Sequence, residues 1–372
     1  MIETRRCAAS ARGRAPWRLA LLAALALSLF GCAAPAAAPA PPAGGAPAPA
    51  AGAPAAPAAA PAASSPGPAA AAPQSITLAI TSPTALYWPV YIAQAEGFFA
   101  REGVEVELMY TNSGVRSVQT LAGGSADIAI PGPDAVLTAN AKGAELYLIS
   151  GGVHSVPYSM IAQPDIRSVA DLRDKTVGVS GVKGGNALVM RRLLERAGLQ
   201  PDRDYQLLVV GGTPDAIAAL RAKGVQAILA LQPQDLQLQD DGFPRIAGSA
   251  EILPRYAFVT VASRGDWLRA NRPAAVKFIR ALIAGERWFY ERQNRAQAVE
   301  ILADASKIEP RYVERTYDLY VEDGGVIPRN GEIDDASIQA VIDVLLGDGD
   351  LDAAPRRESY RDDAFLQEAL AR

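Results

Sequence analysis

Apolar and polar positions change rhythm several times along the chain. Residues 75–80 (SITLAI) form a short apolar run that reads as a strand, and residues 104–110 (VEVELMY) largely alternate, as a half-buried strand does. Between them lies an amphipathic segment, 89–96. Residues 115–122 carry helical spacing and stop at Gly123-Gly124. A third strand is predicted over 126–130, a helix over 133–141 with Pro133 in its first turn, and a fourth strand over 146–150. The alternation then restarts: strand 176–180, helix 186–197 ending at Gly198, strand 205–210, helix 214–223, strand 227–231. A strand at 257–262 follows, and then long helical patterns over 273–291, 295–305, 310–321 and 336–346. Strands alternating with short helices predict an α/β chain with parallel sheets covered on both faces.

The two halves echo each other. Helix 115–122 runs through Gly124 into Ala126-Asp127-Ile128-Ala129, and helix 214–223 runs through Gly224 into Ala227-Ile228-Leu229. Helix, glycine stop, short buried strand, twice, points to two similar lobes.

The first 73 residues are of another kind. Residues 1–18 are basic, and residues 19–30 (LALLAALALSLF) are apolar for 12 positions. That is short for a membrane span, which takes about 20 residues, and right for a secretory segment. The run ends Leu29-Phe30-Gly31-Cys32, which resembles a bacterial lipobox with a bulkier Phe30 than usual. The resemblance implies a signal peptide over 1–31, cleavage before Cys32 and lipid on its thiol, hence a membrane-anchored protein in the periplasm or at the cell surface. Acyl chains contribute roughly 0.8 kcal/mol per buried CH2. From Ala33 to Pro73 stand 23 Ala, 12 Pro, 4 Gly and 2 Ser and nothing else. Proline at that density breaks any alanine helix. Residues 32–74 therefore read as the lipidated cysteine and an Ala/Pro-rich linker, which in extended polyproline form reaches on the order of 100 Å.

Composition narrows the chemistry. His154 is the only histidine, so a His-only metal site is excluded. Both cysteines, Cys7 and Cys32, precede residue 74, so the folded part has no thiol chemistry. Without the five arginines and one glutamate of the first 73 residues, 31 basic and 39 acidic side chains remain, a net of −8. Such a field repels nucleic acid.

Several motifs fail on inspection. Ser180-Gly181-Val182-Lys183 fits S-x-x-K, but Gly181, Gly184 and Gly185 make it a loop, and no companion motif accompanies it. Val182 stands where G-x-S-x-G needs its second glycine. Asp348-Gly349-Asp350-Leu351-Asp352 opens like a calcium loop, yet Ala353 and Ser359 occupy the positions that need Gly and Glu. An acidic surface turn is the better reading.

Two segments keep two readings each. Residues 180–186 follow a buried strand and open a helix, where free N–H groups and Lys183 could cradle a carboxylate, sulfonate or phosphate. They read equally as an ordinary strand-to-helix connection. Tyr87-Trp88-Pro89-Val90-Tyr91 lies after the first strand, at the end of an open sheet where ligands bind. It either walls a pocket or packs on Phe98 and Phe99 as the start of a helix.

The string Gly97-Phe98-Phe99-x-x-Glu102-Gly103-Val104, the run from Leu121 to Ile130 (LAGGSADIAI), and Ser168 to Val179 (SVADLRDKTVGV) together resemble the periplasmic substrate-binding proteins of ABC importers, in the nitrate/sulfonate/taurine and thiamine-precursor group. The similarity runs from Ser75 to Leu370. It implies a type II periplasmic-binding-protein fold, two α/β lobes joined by a hinge. One lobe would comprise 75–157 and 259–372, the other 158–258, with crossings near 158–162 and 257–262.

It further implies a monomer that takes a small ligand by hinge closure and hands it to an ABC permease and its ATPase, with no cofactor and no catalysis. The group's pocket loops map onto Tyr87, Trp88, Asn112, Ser113, Gly114, Pro131, Gly132, Pro133, Asp134, His154, Ser180, Lys183, Gly184, Gly185, Asn186, Thr213, Leu231, Gln232 and Pro233. On this reading Tyr87 and Trp88 face the ring of a planar organic anion or a pyrimidine. The amides of 180–186 and Lys183 hold its acidic group, and Asn112, Ser113 and His154 orient it. His154 reads equally as a satisfied structural residue. An alkanesulfonate is the next candidate; nitrate or bicarbonate hardly needs an aromatic wall. Stacking on Trp88 would make its truncation cost ~1–3 kcal/mol of binding. A receptor for a membrane sensor is the alternative role. Val225-Gln226 stands where the group often has Val-Asp, and Pro131-Gly132-Pro133 is stiffer than usual.

Overall fold

The computed structural model describes residues 73–155, 157–253, 255–322 and 326–371. The signal segment, Cys32 and the linker to residue 72 lie outside them. Among the described residues ten strands build two sheets. The first contains β1 (Gln74–Ile80), β2 (Val104–Tyr110), β3 (Ile128–Ala129) and β4 (Leu146–Gly151). The second contains β5 (Ser159–Ala162), β6 (Lys175–Val179), β7 (Tyr205–Val209), β8 (Ala227–Ala230) and β9 (Arg245–Gly248). The last strand, β10 (Thr260–Arg264), returns to the first sheet.

Strand orders are β2-β1-β3-β10-β4 and β7-β6-β8-β5-β9. They are the same topology twice. β1 pairs in parallel with β2 and β3, as β6 does with β7 and β8. β10 lies antiparallel between β3 and β4, as β5 does between β8 and β9. In each sheet, therefore, the fourth strand is the one on which the chain has just crossed over.

The echo read from the sequence holds down to individual hydrogen bonds. Before β3, the Asp127 N–H donates to the Thr77 carbonyl (2.9 Å), while the Asp127 carboxylate accepts from the Thr77 N–H (2.9 Å). Before β8, the Gln226 N–H donates to the Thr176 carbonyl (2.8 Å), and the Gln226 side-chain oxygen accepts from the Thr176 N–H (3.1 Å). An amide oxygen serves as well as a carboxylate oxygen for this clamp, which is why Gln226 departs from the family pattern without disturbing the sheet.

Local chemistry explains the helix starts. Ser113 caps the helix Gly114–Ala122 by accepting from the Arg116 N–H. Proline stands in the first turn of Trp88–Ala95, Pro133–Ala141 and Thr213–Arg221, where its missing N–H costs nothing.

Three expectations need correction. Residues 159–162, near which one crossing was placed, form β5 of the second sheet, and neither it nor β9 was read as a strand. Both are four-residue strands, and β5 is buried on both faces, so neither offers an alternation to read. The strand placed at 257–262 begins later, at Thr260, because residues 257–259 are spent on contacts of the crossing: the Phe258 and Val259 N–H groups both donate to the Val153 carbonyl.

The first lobe is enlarged by the C-terminal helices. Arg272–Phe289 packs against Trp88–Ala95 and against Ala364–Leu370. The stretch before this last helix seals the free edge of β4, with the Leu148 N–H donating to the Tyr360 carbonyl and the Asp362 N–H to the Leu148 carbonyl. Within this lobe Glu286 is fully buried, and its carboxylate accepts from the Gly331 N–H at 2.7 Å. Burial pushes its pKa well above the ordinary glutamate value.

A carboxyl raised in the folded state contributes stability below its unfolded pKa, about 4.3, and loses it as pH rises toward the folded value. Glu286→Gln keeps the acceptor and removes the charge. We expect it to raise the melting temperature at pH 8, to leave that at pH 4.5 nearly unchanged, and so to flatten the wild-type decline. A decline of wild-type steepness in Glu286→Gln, measured by calorimetry across that range, contradicts the assignment.

Candidate functional site

The parallel strands of both sheets point their carboxyl ends at one another, and the loops leaving them enclose a cavity of about 70 Å³. From the first lobe come Thr81, Ser82, Leu86 and Tyr87 after β1, Asn112–Val115 after β2, and Gly132, Asp134 and Ala135 after β3. The second lobe answers with Ser180 and residues 183–186 after β6, Gly211–Thr213 after β7, and Leu231 after β8. Tyr158 and Phe258, one on each crossing, complete the wall and meet edge to face at 5.1 Å.

The lobes are closed on one another. A Cβ on Gly212 would lie 3.4 Å from the Asn112 backbone, and one on Gly184 would lie 3.4 Å from Val115. The Ala85 N–H donates to the Gln232 carbonyl (3.2 Å), and the Gln234 side-chain amide donates to the Pro83 carbonyl (3.1 Å). At the rim, Lys183 pairs with Asp350 at 2.5 Å and Arg192 with Asp348 at 2.6 Å. The acidic turn read in the sequence thus meets basic side chains of the opposite lobe. Exposed pairs of this kind contribute about 0.2–1 kcal/mol each.

Of the residues singled out in the sequence, Tyr87, Asn112, Ser113, Gly114, Gly132 and Asp134 line the cavity from the first lobe. Ser180, Lys183, Gly184, Gly185, Asn186, Thr213 and Leu231 line it from the second. Six do not. Pro133 opens the helix Pro133–Ala141, and Pro233 precedes the helix Gln234–Asp240. Trp88 is completely buried in the first lobe. Its indole N–H donates to the Ala298 carbonyl (2.8 Å), and its ring packs on Phe289, Tyr317 and Tyr320 at 5.0–6.2 Å. Pro131 lies behind the wall, its carbonyl accepting from the Thr260 N–H. Gln232 sits at the lobe contact, where its side-chain amide donates to Asp235 (3.2 Å). His154 stands beside the C-terminal segment, its backbone N–H donating to the Val326 carbonyl. Burial lowers its imidazole pKa against the opposing pull of Asp334.

The loop 180–186 is already engaged. Asn186 Oδ1 accepts from the Ser180 N–H (3.0 Å), and Lys183 is turned outward to Asp350. The N–H of Gly185, at the start of the helix Gly185–Arg196, faces the carboxylate of Asp134 across the cleft. Asp134 is 7% exposed; burial pushes its pKa up to about 6, with the amides of Ala135, Asp134 and Gly185 opposing. Burial likewise pushes the Tyr158 hydroxyl well above its ordinary value, with Asn186 beside it. Tyr87 is positioned by Thr81, whose N–H and hydroxyl lie 3.2 and 2.8 Å from its hydroxyl. Tyr158, Phe258 and Ser82 escaped the sequence reading. The signal that could have found the two aromatics is their position, one at each crossing.

Residues 85–296 match the family described as NMT1/THI5 like, and the chain belongs to that family. It is 21% identical over 250 residues to the putative binding protein YtlA of Bacillus subtilis, covering 66% of this chain and 75% of that one. It is 24% identical over 229 residues to the formylaminopyrimidine-binding protein of Halalkalibacterium halodurans, covering 58% and 66%. Among solved structures it resembles the alkanesulfonate-binding protein SsuA of Xanthomonas axonopodis pv. citri bound to MOPS. The TM-score is 0.63 at 20% identity, over 79% of this chain and all of that one. The fold is that of the periplasmic binding proteins. Among the described residues no helix is long and apolar enough to cross a membrane.

With Trp88 in the core, its truncation acts on folding and not on ligand. Trp88→Ala is expected to cost ~3–5 kcal/mol of stability in denaturant titration. The affinity of the protein that remains folded should stay within about twofold, measured by calorimetry. Unchanged stability with weakened binding would return Trp88 to the cleft.

Proposed function

We propose that this chain is a lipid-anchored solute-binding protein that captures a small planar organic molecule between its lobes and delivers it to an ABC permease and its ATPase, without catalysing a reaction. The observation that carries this reading is the enclosed cavity at the facing carboxyl ends of two like sheets, where open α/β folds place their ligands. Tyr87, Tyr158 and Phe258 give it aromatic walls, and the glycines at 114, 132, 184, 185, 211 and 212 bring backbone to its surface. A volume of about 70 Å³ is several times the ~10–15 Å³ that one water requires, so the space admits more than solvent. The relatives named as binding proteins, one of them for a formylaminopyrimidine, support both the role and the ring.

Function follows from closure. The contacts that join the lobes form only when they are shut, so a ligand touching both lobes shifts the population by its preference for the closed form and by no more. The permease then meets a surface that exists only in that form.

The test is a melting-shift and small-angle scattering screen of the full chain in detergent, against single-ring pyrimidines, aromatic carboxylates, alkanesulfonates and nitrate. A bound single-ring compound at 100 times its dissociation constant should stabilise by about 2.7 kcal/mol and reduce the radius of gyration. Stabilisation by nitrate alone would refute the aromatic pocket. On fractionation of expressing bacterial cells, Cys32→Ser should move the protein from the membrane to the soluble fraction; retention in the membrane would refute the lipid anchor.

A further inference from the structure

The charge inventory of the cavity is lopsided. Among its described lining residues only Asp134 and Lys183 carry charge, and no arginine is present. Lys183 does not serve the interior: its side chain is 61% exposed and its ammonium is paired with Asp350 at the rim. Asp134 is the reverse case, a carboxyl buried in the wall with no ion-pair partner among the described residues.

The fold makes room for it with Gly132, and Gly184 approaches it from the other side. A Cβ on Gly132 would overlap Asp134 Oδ1, and one on Gly184, on the opposite lobe, would stand 3.8 Å from Oδ2. Backbone N–H groups of Ala135, Asp134 and Gly185 partly offset the charge, but amides are dipoles and do not neutralise it. The other titratable groups around it are Tyr158 on one crossing, Tyr256 on the other and, at the rim, Asp350 with its partner Lys183. Lys183 is the one cation of this set, and Asp350 holds its charge at the rim. An anionic ligand closed into this space would meet a like charge at short range with no unpaired cationic side chain to compensate, in surroundings that screen poorly. A ring edge bearing N–H groups meets the opposite situation, because a carboxylate offers two acceptor oxygens side by side.

Building on the reading of the cleft as a ligand site, we propose that Asp134 sets the ligand class: a planar ring carrying N–H donors, uncharged or cationic, is accepted, and carboxylates and sulfonates are rejected. The amide row at the start of the helix Gly185–Arg196, which the sequence offers to an external anion, serves the protein's own carboxylate in the closed form. Tyr158 and Phe258 flank the ring, and specificity rests on the acid.

Three isosteric probes separate charge from shape: benzamidine (cationic), benzamide (neutral, with N–H donors) and benzoate (anionic). Titration calorimetry on the full chain at pH 7.5 should show benzamidine and benzamide binding about tenfold or more tighter than benzoate. Asp134→Asn should weaken benzamidine by about tenfold and abolish its preference over benzoate. Wild-type affinity for benzamidine should fall as pH is lowered from 8 to 5, through the region near 6 where Asp134 takes up its proton, and the Asp134→Asn profile should be flat. The wild-type profile keeps the test decisive should the variant fold poorly. Benzoate binding more tightly than benzamide to the wild type overturns the ligand class and leaves the solute-binding reading intact. Absence of heat and of compaction in scattering with all three probes counts against both.

Discussion

The structure rests on a strand exchange made at the two crossings. Each sheet places, antiparallel between its third and fifth strands, the strand on which the chain has just arrived from the other lobe. The lobes are therefore tied by backbone woven into both cores, and the ties lie on the same side of both sheets. Because the parallel strands of the two sheets face each other across those ties, every loop at a carboxyl end opens into the same space. Tyr158 and Phe258 stand on the ties themselves, which is why they reach the cleft from neither lobe proper.

Duplication sets the scaffold, and departures from it set the chemistry. Asp127 and Gln226 clamp their sheets in the same way, and there the side-chain difference is neutral. After β3 and β8 the difference matters. The helix after β3 begins Pro133-Asp134 and aims a buried carboxyl into the cleft. After β8 the matching stretch reads Pro233-Gln234, and the amide reaches across to the Pro83 carbonyl instead. One lobe thus supplies charge at this position and the other supplies adhesion.

The fold class and most of the pocket loops were legible because they depend on local signals: glycine stops, proline at helix starts, short apolar runs. The departures arise where the determinant is distant or angular. Tyr87 and Trp88 are adjacent and aromatic, yet successive positions at a helix start point to different sides, so one lines the cleft and the other fills the core beside Phe289, Tyr317 and Tyr320. Lys183 read as a ligand for an anion because nothing nearby in sequence announces that Asp350, 167 residues on, takes its charge. The same distance conceals the approach of Gly184 to Asp134, since Gly132 is its neighbour in sequence and Gly184 stands on the other lobe. β5 and β9 escaped because four residues are too few to show a period.

The order of strands along the chain has a consequence for synthesis. All five strands of the second sheet lie between Ser159 and Gly248, so that lobe is complete once residue 248 has emerged. The first sheet begins earlier, at Gln74, but the gap between β3 and β4 stays open until Thr260–Arg264 arrives. In a chain that folds as it emerges, amino end first, the lobe started second is finished first. It then presents the missing strand to its neighbour, and the cleft comes into being with the insertion that closes the older sheet.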